Sequence, residues 1–199
     1  MPIFYPAVSG DDGFFRSDGT EIHLTYTILR MGRVGGEVPY NEDLFVRFPA
    51  VTIDKDASIE TAYIKFITRE SNYTDSCNIN CHFNDVDNAV APTTGEEAIA
   101  LALTSPVAWN AIPGQDLGIP FYSPELKTIF QTIVNRAGWL SGNAAQIVFK
   151  NNGSDAAATR RPSAIDYLGG AEKAELHITV TTPPSPGQPS HLTLMGIGI

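Results

Sequence analysis

The sequence predicts an all-β protein, a jelly-roll-like β-sandwich of about eight short strands with one α-helix inserted near residues 124–136. Three observations carry this. Period-two alternation of apolar and polar residues recurs along the chain, broken by Gly, Pro, Asn and Asp turns. One stretch alone, "SPELKTIFQTIVNRAGW", is clearly helical in period. Strands do not alternate with helices, which disfavours a parallel sheet.

Taken in order, residues 1–19 form an N-terminal arm and a turn-rich lead-in, "SGDDGFFRSDGT". "EIHLTYTIL" places Ile22, Leu24, Tyr26 and Ile28 on one face of a strand, and "MGRVGGEVPYNED" follows as a loop. "LFVRFPAVTI" reads as one or two strands broken near Pro49. "IETAYIKFIT" is apolar on both faces, with Ile59, Tyr63 and Ile67 against Ala62, Ile64 and Phe66, and so belongs at the centre of a sheet. "SCNINCHFND" sets Cys77, Ile79, Cys81 and Phe83 on one face and Asn78, Asn80 and His82 on the other.

"AIALALTSPVAWNAI" suits a strand or a short helix, with strand preferred from about Val107. The helix then has Ser123 as N-cap, Pro124 in its first turn, Glu125 at the positive end of the dipole and Gly138 as its stop. Leu126, Ile129, Phe130, Ile133 and Val134 make its apolar stripe. "AAQIVFKN" is a strand, "RRPSAIDYLGGAEKA" a loop, and "ELHITVTT" a last strand with Leu176, Ile178 and Val180 inward. The sandwich thus spans residues 20–182. Residues 183–199 are a Pro-rich spacer followed by an apolar, strand-prone arm carrying Leu192, Leu194, Met195, Ile197 and Ile199.

A chain of 199 residues buries enough surface to fold without staples. A net charge of −9 repels phosphate backbones and anionic lipid surfaces, which argues against nucleic-acid and membrane partners. "MPIFYPAVSG" has neither the basic start nor the apolar core of a signal peptide, and no apolar run is long enough to span a bilayer. An extended Cys77–Cys81 pair lies about 13 Å apart, beyond the roughly 7 Å limit of a disulfide. Two free thiols suit folding in a reducing compartment.

Several runs, in this order, resemble a known module: "SGDDGFF", "VRFPAVTIDKDASIETAYIKF", "AVAPTTGEE", "VAWNAIPGQDLG", "SPELKTIFQTIVNRAGWLSGNAAQIVF" and "AIDYLGGAEKAELHITV". The module is a jelly-roll β-sandwich of phage virion proteins and bacterial surface proteins, similar in style to carbohydrate-binding modules. The resemblance covers about Ser9 to Val180, and the helix with "GWLSGN" is its most specific part. Ala57 lacks the usual preceding Gly, and Glu125 replaces Asp. What it implies is a fold with a binding or structural role, and no catalytic residues.

Cys77, Cys81 and His82 do not converge on one side of a strand, so buried core thiols outweigh zinc. Asp11, Asp12, Asp85 and Asp87 are weak candidates for a structural calcium, since turn chemistry explains them without a metal. Trp109, Tyr122 and Tyr167 are candidate glycan contacts, whereas Trp139, directly after the helix, suits the core. No Ser stands in a nucleophile elbow, His23, His82, His177 and His191 lie on strands or the tail, and "MGRVGG" precedes no helix, so no enzyme and no cofactor is expected.

The resulting expectation is a bacteriophage virion structural protein, as capsid decoration or a tail or fibre component. It would be made in the host cytoplasm and would assemble with itself or other virion proteins through its terminal arms. The alternative is a carbohydrate-binding module or receptor-binding adhesin domain that contacts host glycans.

Overall fold

The computed structural model describes residues 1–71 and 76–181, and the spacer with its Leu192–Ile199 arm lies outside the described residues. The first strands are β1 (Ile3–Phe4), β2 (Asp12–Arg16), β3 (Ile22–His23), β4 (Met31–Val34) and β5 (Tyr40–Phe48). Next come β6 (Ile59–Ile67), β7 (Cys77–Phe83), helix α1 (Gly95–Ile99), β8 (Val107–Ile112) and β9 (Pro120–Tyr122). Helix α2 (Lys127–Val134), β10 (Ala145–Asn151), β11 (Thr159–Arg160) and β12 (Glu175–Val180) complete the described chain.

All pairings are antiparallel and build the expected two-sheet sandwich. The small sheet runs β1-β12-β6-β9, and the large one β11-β4-β5-β10-β7-β8, with β2 also on β5 and β3 on β2. Inward residues of both sheets form one core: Ala62, Ile64, Phe66, Leu176 and Ile178 face Leu44, Val46, Cys81, Phe83, Ile147 and Phe149. A second cluster lies around Phe15, Phe45 and Val148, where α1 contributes Ala98. Fully buried Arg160 of β11 donates to the Ile112 and Pro113 carbonyls at the end of β8, so the large sheet curls until its two edges approach.

Alternation located β6, β7, β10 and β12 well, and several other readings need correction. The strand expected over "EIHLTYTIL" is only β3, because Ile22 and Leu24 pack in the side cluster. The loop "MGRVGGEVPYNED" instead holds β4 and the start of β5, which pair from Gly32↔Glu42 to Val34↔Tyr40. The N-terminal arm packs on its own body, with Ile3 opposite His177 and Phe4 opposite Leu176.

Helix α2 starts later and stops earlier than its pattern predicts. Ser123 is not its N-cap: the Ser123 hydroxyl accepts from Ile64 N at 2.9 Å. Glu125 Oε1 takes the first helical amide, Lys127 N, at 2.8 Å. Gly138 is required for a close approach, since a β-carbon there would lie 2.2 Å from Asp87 Oδ2. That carboxylate and Asp85 both accept from Arg136, pinning the end of the helical segment to the loop after β7. Trp139 then plugs the core at 0% exposure, with Nε1 donating to Ile53 O at 3.0 Å.

Trp139→Ala should destabilise the fold by about 3–5 kcal/mol in denaturant unfolding, through lost burial and the cavity left behind. Gly138→Ala should cost about 1–3 kcal/mol, because the Asp87–Arg136 pair must shift. Wild-type midpoints in both variants would contradict this packing.

Candidate functional site

β6 is fully partnered on one side only. β12 pairs with it from Ile59 to Lys65, whereas β9 reaches only Lys65, Phe66 and Ile67. Backbone amides on the remaining edge need acceptors, since each buried one left without costs about 1–3 kcal/mol. Side chains of the run after β9 supply them. Ser123 Oγ accepts from Ile64 N at 2.9 Å, Glu125 Oε1 from Ala62 N at 2.7 Å, and Gln131 Oε1 from Ile59 N at 2.8 Å. In return Ser123 N donates to Ile64 O and Leu126 N to Ala62 O.

This edge-sealing places Tyr122, Ser123 and Glu125 beside Tyr63 on the outer face of the small sheet. The Tyr63 and Tyr122 rings meet edge-to-face, with centroids 5.9 Å apart and planes at 67°. With Ser123 and Glu125 they border a shallow, solvent-open cavity of about 250 Å³. Buried His177 stacks on Tyr63 at 4.8 Å and 9°, so it backs the Tyr63 ring from β12 while Tyr122 and Tyr63 carry the accessible aromatic surface. Ile3 and Tyr5, both exposed, extend the face beyond His177.

An ion pair runs beside these rings. Lys65 Nζ donates to Glu175 Oε1 at 2.9 Å, and Glu175 Oε2 lies 2.6 Å from His177 Nε2. The bond to Glu175 holds the Lys65 amine above its ordinary range. Burial alone would raise the Glu175 carboxyl, but the bonds from Lys65 and His177 outweigh it and leave it lowered. Aromatic faces with fixed charged hydrogen-bonders among them suit a ligand with an apolar face and a polar edge.

The glycan candidates are distributed differently from one another. Tyr122 lies on this face at 51% exposure. Trp109 is half-buried on β8, packing at the edge of the core 6.0 Å from Phe121 and 6.2 Å from Phe149. Tyr167 lies beneath the Arg69 guanidinium, 4.1 Å from its ring centroid. Tyr63, Glu125 and His177 were not expected at a site. Tyr63 and His177 were visible only as residues of alternating strands, and the register that joins them is a tertiary property.

The calcium candidates have protein partners. Asp11 accepts from Ala7 N, Val8 N and Arg47 Nη1, while Asp85 and Asp87 accept from Arg136. Among the described residues no group of three or more His, Cys, Asp or Glu side chains is arranged to hold a metal ion. Cys77 and Cys81 are buried free thiols, both pushed up by burial, and His82 turns away to Thr104 O at 2.8 Å. No helix among the described residues is long and apolar enough to cross a membrane.

Asp12 gives a pH prediction. Its Oδ2 accepts from Ile165 N at 2.8 Å, while Oδ1 is buried without a partner. Burial, with Asp166 and Asp11 nearby, raises its carboxyl from 3.8 to about 7. The folded state therefore keeps a proton that the unfolded chain has lost, and this group's contribution to stability declines as pH rises from about 4 to about 7. Asp12→Asn should remove that share. The stability gap between variant and wild type should move in the variant's favour across this window in denaturant unfolding, and a constant gap would contradict the assignment.

No protein-family model matches the chain, and no curated protein matches it.

Proposed function

We propose that this chain is a non-catalytic carbohydrate-binding β-sandwich module whose ligand lies on the outer face of the small sheet. The observation that supports this most is the Tyr122–Tyr63 pair, backed by buried His177, with the Lys65–Glu175 pair beside it. Rings receive the apolar face of a sugar, and the charged pair and tyrosine hydroxyls receive its hydroxyl edge. Titration against a panel of soluble oligosaccharides should find a binder. Tyr122→Ala and Tyr63→Ala should each weaken it at least about tenfold, about 1.4 kcal/mol, with Tyr122→Ala keeping the wild-type unfolding midpoint. A panel with no binder would sink this reading.

A second reading places the module in a bacteriophage virion, as capsid decoration or a tail or fibre component. The sequence resemblance supports it, and so does β8, an uncharged six-residue strand last in the large sheet, whose Val107 end lies away from the Arg160 contact at Ile112 and can offer an edge to a further strand. The Leu192–Ile199 arm would supply that strand to a neighbour, and glycan binding would then serve host attachment. Light scattering should give an oligomer for the full chain and a monomer for a chain ending at Pro184. Equal masses would rule out assembly through the arm.

A further inference from the structure

We propose that the cavity between Tyr63 and Tyr122 holds the ammonium group of an amino sugar, with Glu125 as its counter-ion. This rests on the carbohydrate reading and names the sugar class. The site is a shallow, solvent-open depression of about 250 Å³, smaller than the roughly 300–1,000 Å³ of pockets that enclose a drug-sized ligand. It therefore suits one sugar unit or its substituent, while the remaining units lie along the neighbouring face.

The lining selects for a cation. Glu125 is exposed; it commits Oε1 to the backbone amides of Ala62 and Lys127, and Oε2 accepts no hydrogen bond among the described residues, so a cation there would be held by a salt-sensitive surface pairing. Ser123 is occupied as well, accepting from Ile64 N and donating to Pro124 O at 2.9 Å. What the lining offers a ligand is thus one carboxylate oxygen, the tyrosine hydroxyls and the ring surface of Tyr122 and Tyr63 that the His177 stack and their mutual edge contact leave uncovered. A ring face attracts a cation, and a charge-assisted bond to a carboxylate is about twice as strong as a neutral one. Among the described residues no Lys or Arg borders the cavity, and neighbouring Lys65 is already held by Glu175 at 2.9 Å. The net charge of −9 also favours approach of a cationic polysaccharide.

A quaternary ammonium such as choline shares this chemistry, so the test separates the sources. Calorimetric titrations of the full chain would use a β-1,4-linked glucosamine oligomer, the matching N-acetylglucosamine and glucose oligomers, and choline. The glucosamine oligomer should bind at least about tenfold tighter than the other two sugars, and added salt should weaken it selectively. Glu125→Gln keeps the Oε1 acceptor, and so the fold, and should abolish that preference. Tyr122→Ala should weaken every sugar. Equal affinity for the three oligomers, unchanged in Glu125→Gln, overturns the amino-sugar assignment and leaves the carbohydrate reading standing. Binding of choline alone, or of none of the four ligands, likewise overturns the amino-sugar assignment, whereas the carbohydrate reading falls only if the wider oligosaccharide panel also yields no binder.

Discussion

The unfinished edge of β6 is the constraint on which the structure turns. A central strand buried on its inner face cannot leave amides of Ile59, Ala62 and Ile64 without acceptors, and β9 is too short to supply them. The chain meets this with side chains from Ser123, Glu125 and Gln131 and with backbone bonds at Ser123 and Leu126. Helix α2 follows from that solution. Its apolar stripe of Ile129, Phe130, Ile133 and Val134 closes the core, while Gln131 at the stripe's border reaches the strand edge. The late insertion of one helix into a β-sandwich is thereby explained by hydrogen bonding as much as by burial.

Sealing the edge has a consequence on the outer face. The residues that reach β6 carry Tyr122 and Glu125 with them, and antiparallel register sets Tyr63 next to both and His177 behind it. A cavity built on strands and on a segment held by three side-chain bonds to a strand is pre-organised, which lowers the ordering cost of binding. The Arg136 pairs with Asp85 and Asp87, and Trp139 bonded to Ile53 O, anchor the far end of the same segment. Core and binding face therefore share one structural support.

The sequence carried the sandwich because alternation reports burial directly. In β7 the inward set Cys77, Ile79, Cys81 and Phe83 is what the pattern predicts, and β12 buries Leu176 and Ile178 likewise. Alternation was misleading over "EIHLTYTIL", where Ile22 and Leu24 cover a satellite cluster without forming a long strand. It was silent over β4, whose glycine-rich run owes its pairing to β5. Capping rules placed the start of α2 too early, since Ser123 and Glu125 serve β6 first. At the site, Tyr122 was readable as an aromatic on a loop. Tyr63, Glu125 and His177 were not, because cross-strand register and an edge bond between residues 62 and 125 leave no local signature.

The most direct measurement is amide chemical-shift mapping of the isotope-labelled full chain during titration with a β-1,4-linked glucosamine oligomer. The account predicts that the largest shifts cluster at Tyr63, Tyr122, Ser123, Glu125 and His177, fading toward the large sheet. Shifts centred instead on β8, or on the cavity bordered by Val34 and Ala157, or no shifts at all, would contradict it.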